Sequence, residues 1–281
     1  REEQMEFSGA RISRGIFAPT IRYHDGLFYI ITTSVDNGGN FIITASDPAG
    51  PWSEPIWLPE VGGIDPDIFF DDDGRVYITH NEAPPGKPLY NGHRAIWMWE
   101  YDPATQKVLP DSRKLLVNGG VDISQEPIWI EAPHLYKVNG WYYLSCAEGG
   151  TGPQHSQVVF RSRSLDEPFI PYENNPILTQ RDLSWPRPNP VDTAGHADMI
   201  QTEAGEWWAV FLGTRPYDNY LYNTGRDTFL LPVEWRNEWP HILPAKTPIP
   251  PTSPRPAGTS KQQGTDFYDW DDQFDGNSLS V

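Results

Sequence analysis

The chain has 281 residues, 38% of them hydrophobic, and a formal net charge of −17. That length suits one large all-β domain or two small domains, and 12 Trp, 13 Tyr and 12 Phe supply a real core. The charge argues against a nucleic-acid backbone as partner. No apolar run approaches the ~20 residues of a membrane helix, so no membrane partner is expected. The single cysteine, Cys146, rules out an intrachain disulfide framework and reads as a buried thiol in an apolar strand.

The chain starts at Arg1 without an initiator Met or a signal-peptide pattern and reads as a fragment or a processed chain. Short aromatic and β-branched runs broken by Gly, Pro, Asn and Asp predict strands throughout. Four stretches repeat one pattern: residues 18–30, 65–78, 132–144 and 196–211. Each has a small or polar start, a short apolar strand, a turn ending in Gly and an aromatic strand. The turn glycines Gly26, Gly74, Gly140 and Gly205 recur 48, 66 and 65 residues apart. Periods of this size made of strands point to propeller blades carrying insertions. Further strands are predicted over 40–46, 95–101, 157–162 and 229–235, one after each hairpin. Asn139-Gly140 between two apolar runs is a strong hairpin signal, because both turn residues need positive φ.

From Lys246 the pattern changes. Residues 246–264 are Pro-rich and read as a linker. Residues 265–281 are acidic and aromatic and read as the start of another module. The run Asp269 to Gly276 has calcium-type carboxylates but lacks the full spacing of a calcium loop.

In a propeller the innermost strand of each blade lines the central channel. Asp65, Glu131 and His196 each open a repeat, so the fold would gather them at one channel mouth. Glu131 has the apolar neighbours Ile130 and Ala132, which should raise its pKa toward what a general acid needs near neutral pH. Taken alone, each of these could equally be a strand-end residue facing water. Asp71, Asp72 and Asp73 read as a solvated turn. Phe17, Trp97 and Trp129 could stack on a sugar or simply fill the core. His134 reads as a buried, hydrogen-bonded histidine, and His155, in a loop after Gly149-Gly150, is placed to reach the pocket.

At this point a resemblance can be stated. The motifs Arg14–Thr20, Gly63–Phe70, Ile130–Tyr136, Ala147–His155, Gly195-His196 and Gly225-Arg226-Asp227-Thr228 resemble, in that order, glycoside hydrolase family 43 and its β-xylosidase/α-L-arabinofuranosidase branch. The resemblance covers residues from about 8 to 250. It implies a five-bladed β-propeller and an exo-acting, inverting glycosidase that removes terminal β-D-xylosyl or α-L-arabinofuranosyl residues from xylo- or arabino-oligosaccharides. Carried over by position, Glu131 is the general acid, Asp65 the carboxylate that tunes it, and Arg226 a ligand of sugar hydroxyls. His196 corresponds to a central histidine near a channel water or metal ion, often Ca²⁺. No cofactor is required. Phe17 stands where many relatives have Trp, and Thr20 where many have Asp.

The family's general base, an Asp of the first blade, has no counterpart before Arg14, so most of blade one is expected to be missing from residues 1–245. Either a complementing N-terminal segment or a homo-oligomer supplies it, or the chain is a non-catalytic carbohydrate-binding propeller. Residues 265–281 resemble the start of the family's C-terminal β-sandwich.

Overall fold

The computed structural model describes residues 14–217 and 221–259, and these form an all-β propeller arrangement of four sheets. The expected start of a C-terminal sandwich and the Asp269–Gly276 run lie outside the described residues. Blade 1 is β1 (Ile16–His24), β2 (Leu27–Ser34), β3 (Gly39–Ala45) and β4 (Ile56–Trp57). Blade 2 is β5 (Ile64–Phe70), β6 (Val76–Glu82), β7 (Ala95–Asp102) and β8 (Lys107–Val108), with β9 (Lys114–Asn118) also paired to β7. Blade 3 is β10 (Glu131–Val138), β11 (Trp141–Glu148), β12 (Ser156–Ser162) and β13 (Ile170–Pro171), with β14 (Leu178–Thr179) also on β12. Blade 4 is β15 (Asp192–Gln201), β16 (Trp207–Thr214), β17 (Asp227–Arg236) and β18 (Trp239–His241).

Every pairing within a blade is antiparallel, and the four repeats read from sequence are the first hairpins of the four blades. At the β10–β11 turn Asn139 has φ 50° and Gly140 φ 74°, both in the left-handed region that the tight hairpin demands.

Three apolar clusters hold the blades together, one at each interface. Ile31 and Ile42 of blade 1 meet Ile68 and Ile78 of blade 2. Ile96 and Met98 of blade 2 meet Leu135 and Leu144 of blade 3. Tyr143 and Val159 of blade 3 meet Ala194 and Phe211 of blade 4. Each such fully buried aliphatic side chain contributes roughly 1.5–3 kcal/mol. No comparable cluster joins blade 4 to blade 1 among the described residues. There the outward faces stay open: Ile21 and Tyr23 on β1, and Ile200, Val210 and Leu230 on blade 4, are exposed. Alternation explains which residues these are, because their strand neighbours Arg22, Met199, Ala209, Phe211 and Leu231 point to the channel or to the core.

Past β18 the chain runs along the outside of blades 3 and 4 without forming a strand. The backbone of Ile249 donates to Gln180 Oε1, Gln180 Nε2 donates to the Thr247 carbonyl, and the backbone of Ala257 donates to Glu206 Oε2. Ile249 is buried in the blade 3–4 cluster.

Candidate active site

The inner strands β1, β5, β10 and β15 carry a β-bulge near their first residues, at the same place in every repeat. The last paired residues before the shift are Phe17, Ile64, Glu131 and Gly195, and the next residues are Ala18, Asp65, Ala132 and His196. Asp65 and His196 therefore share one repeat position, and Glu131 stands one residue earlier, a refinement of the matching positions read from sequence. A bulge bends a strand and re-aims its side chains. Here it does so through left-handed backbone at Asp65 (φ 54°), Ala132 (φ 47°) and His196 (φ 57°). Each such non-glycine residue costs of order 1–3 kcal/mol and persists only where the surroundings enforce it.

These bends gather the expected residues. His196 Nε2 lies 3.5 Å from Asp65 Oδ2, and the same oxygen accepts the backbone N–H of Ala132 at 3.3 Å. Asp65 is thus tied to the residue that follows Glu131. Glu131 is buried, with Ile130 and Ala132 buried on either side. Burial, and then the nearby Asp65 carboxylate, push its pKa up to about 7, against the pull of His196, Arg226 and Arg94. Burial alone would lower the pKa of His196, but Asp65 and Glu131 outweigh it and raise it.

Arg226 is exposed, and its charge reaches Glu131, His155 and His196. Phe17 is half-buried on β1 at the repeat position of Glu131, its carbonyl accepting from Thr32 Oγ1. His155 has no accessible surface. Its Nδ1 donates to the Thr193 carbonyl at 2.8 Å, Nε2 has no protein partner, and the ring centroid is 6.3 Å from that of His196. Burial lowers its pKa to about 4, further lowered by the His196 and Arg226 charges. In this conformation it backs His196 and presents nothing to a ligand arriving from solvent.

A cavity of about 890 Å³ runs from Asp65, Ala132 and His196 down the channel, between the open faces of blades 1 and 4; Glu131 is not in its wall. Its floor is a charged knot that sequence reasoning missed. Arg22 forks onto Asp198 (Nη1–Oδ2 2.5 Å, Nη2–Oδ1 2.9 Å), and Nη2 also lies 2.9 Å from Asp67 Oδ1 and 3.2 Å from His134 Nδ1. The Asp67 contact is an ion contact without hydrogen-bond geometry, since both its buried oxygens lack a well-formed partner. Tyr136 donates to Asp198 at 2.8 Å and accepts from the Met199 backbone. Burial works to raise the Asp198 pKa, but His134 and Arg22 overcome it and hold it at about 2. Thr20, Asp67, His134 and Asp198 occupy one repeat position, so all four inner strands meet here. The signal was in the sequence: two places further on, the repeats read Arg22, Phe69, Tyr136 and Ile200, with one cation where the others are aromatic or aliphatic.

Two other expectations change. Asp71 is not part of a solvated turn: it is buried, and it accepts from Lys137 Nζ at 2.5 Å and Tyr142 Oη at 2.6 Å, both across the blade interface, while Asp72 and Asp73 are exposed. Trp97 lies away from the site under Arg113, whose guanidinium carbon is 4.0 Å from the ring centroid. Arg94, just before β7, carried no sequence signal, yet its charge reaches Glu131.

Among the described residues no group of three or more His, Cys, Asp or Glu is arranged to hold a metal ion. Calcium takes six to eight oxygen ligands. The neighbours of His196 are an imidazole and two carboxyl groups, and a guanidinium already supplies the cation below them. These side chains alone do not make a calcium site.

Sheets fanned about a channel, with a buried carboxyl pair and a histidine at one mouth, define the class: a β-propeller with an acid site. The profile of glycosyl hydrolases family 43 matches residues 1–240, and the chain belongs to that family. It is 46% identical over 246 residues to a xylosidase/arabinosidase of Butyrivibrio fibrisolvens, covering 87% of this chain and 46% of that protein. It is 39% identical to a non-reducing end α-L-arabinofuranosidase of Bacteroides ovatus, covering 86% and 43%. Among solved structures, a GH43_12 protein retrieved from capybara gut metagenome superposes with a TM-score of 0.79 at 47% identity, covering 86% of this chain and 44% of that one. The chain thus spans about half the length of the curated relatives it matches.

Proposed function

We propose that this chain is the catalytic propeller of an exo-acting, inverting glycosidase that removes terminal β-D-xylosyl or α-L-arabinofuranosyl residues from hemicellulose oligosaccharides. The observation that carries the reading is the buried Glu131 carboxyl beside Asp65, its pKa pushed up to about 7 so that about half of it still holds its proton at neutral pH. Glu131 donates its proton to the departing glycosidic oxygen. A base-activated water attacks the anomeric carbon from the opposite face, which requires the two carboxyl groups to stand about 6.5–9.5 Å apart. Burial, and then Asp65, hold the proton on the acid until the leaving oxygen arrives, and the Ala132 N–H and His196 hold Asp65 in place. Arg226 and Arg94, whose charges reach Glu131, are the cations available to sugar hydroxyls, Phe17 walls the sugar on the blade 1 side, and His155 acts through His196. Acid and base suffice, so no step calls for a cofactor.

The general base rides on a fifth sheet, seated between blades 4 and 1. The reading is supported by the open channel there and by the exposed Ile21, Tyr23, Ile200, Val210 and Leu230 that such a sheet would cover.

Release of xylose or arabinose from nitrophenyl glycosides tests the proposal. Glu131→Gln should cut release by roughly 10²–10⁴-fold with the fold intact. Normal turnover by that variant removes Glu131 from the role, and oligosaccharide binding without any hydrolysis by the unaltered chain favours a carbohydrate-binding propeller instead.

A further inference from the structure

Two residues before Glu131, the chain holds an aromatic ring out to solvent. Trp129 is 45% exposed and its neighbour Ile128 49%. The backbone there is bent for the purpose: Trp129 has φ 46°, a conformation a bulky side chain rarely adopts. Three loops lock it. The backbone of Trp129 donates to the Gly92 carbonyl at 2.9 Å, and that of Gly149 donates to the Ile128 carbonyl at 2.8 Å. Tyr90 Oη donates to the carbonyls of Gly119 and Pro127. The indole lies against two glycines, so that a Cβ on Gly92 or Gly150 would come within 3.5 or 3.3 Å of it. All three loops stand at the mouth where β10 begins, because β6 and β11 end there and β7 starts there.

A core tryptophan needs no such frame, and an idle surface tryptophan would not be held by a strained backbone. A general acid delivers its proton to the oxygen bridging two sugars, so the leaving sugar lies on the acid's side of the cut. A flat, rigid apolar ring held two residues before the acid, at the same channel mouth, suits the apolar face of a pyranose.

We propose that Trp129, flanked by Ile128, is the platform on which the leaving sugar stacks, and that its preferred occupant is a xylopyranosyl unit. This rests on the glycosidase reading above. It adds that recognition extends beyond the terminal pentose. A xylosyl group cut from a xylan chain and an arabinofuranosyl group cut from a xylan branch both leave a xylopyranose behind, so one platform serves both.

The test compares xylobiose, whose leaving group is a pyranose, with xylosyl fluoride, whose leaving group has no ring. Trp129→Ala should lower kcat/KM for xylobiose at least tenfold more than for the fluoride, and Trp129→Phe should restore most of the difference. Equal losses on the two substrates overturn the proposal. A second measurement does not need turnover: in the Glu131→Gln background, the Trp129 indole N–H resonance, assigned through Trp129→Phe, should shift as xylobiose is added. An unmoved resonance at saturating xylobiose also overturns the proposal. If neither substrate is hydrolysed with the base-bearing fifth sheet present, the glycosidase reading fails, and the indole titration still decides whether the platform binds.

Discussion

The fold makes Glu131 costly to ionise. Its pKa of about 7 means that the folded protein holds this proton more tightly than an unfolded chain, where an ordinary Glu titrates near 4.5. Folding stability therefore falls as pH rises from about 4.5 to 7, and above that window the ionised carboxylate costs about 3 kcal/mol. Glu131→Gln removes that cost. The variant should match the parent in melting temperature near pH 4.5 and exceed it by several degrees at pH 8. A constant difference across this range would place Glu131 in a wetter setting. The residues flanking Glu131 in sequence were enough to suggest this environment. The setting of Asp71 was not legible, because its partners Lys137 and Tyr142 lie on another blade and the run of three aspartates looks like a solvated turn.

The inner strands succeed through their bulges. The repeat, the hairpin at Asn139-Gly140 and the third strands near 95–101 and 157–162 follow from alternation and turn chemistry, which act locally. The bulge did not show in that pattern, so the one-residue offset of Glu131 from Asp65 and His196 emerged only in the paired register. Close approach behind β15 is equally a property of the folded element. A Cβ on Gly195 would stand 2.8 Å from the His155 ring, which is buried and pinned by the Thr193 carbonyl. Gly195→Ala should therefore cost about 1–3 kcal/mol in a denaturant titration. A neutral result would mean that His155 has room to move, and His196 would lose its rigid backing.

Across the molecule, one guanidinium ties the four inner strands at the channel floor. Removing it leaves the fully buried Asp67 and the half-buried Asp198 without their cation, so Arg22→Met should destabilise the chain by about 3–5 kcal/mol. Arg22→Lys, which keeps the charge and loses the fork, should recover only part of that loss. Four blades were countable as repeats in the sequence. The open seam between blades 4 and 1 was not, since it depends on which strand faces lack a partner. The central claim is that carboxyl groups far apart in the chain act on one another at the channel mouth. Carbon-13 NMR of the Glu131 carboxyl, assigned through Glu131→Gln and followed across pH, tests this most directly. The account predicts a midpoint near 7 that falls when Asp65→Asn removes the neighbouring charge. A midpoint near 4.5, or one indifferent to Asp65→Asn, would contradict it.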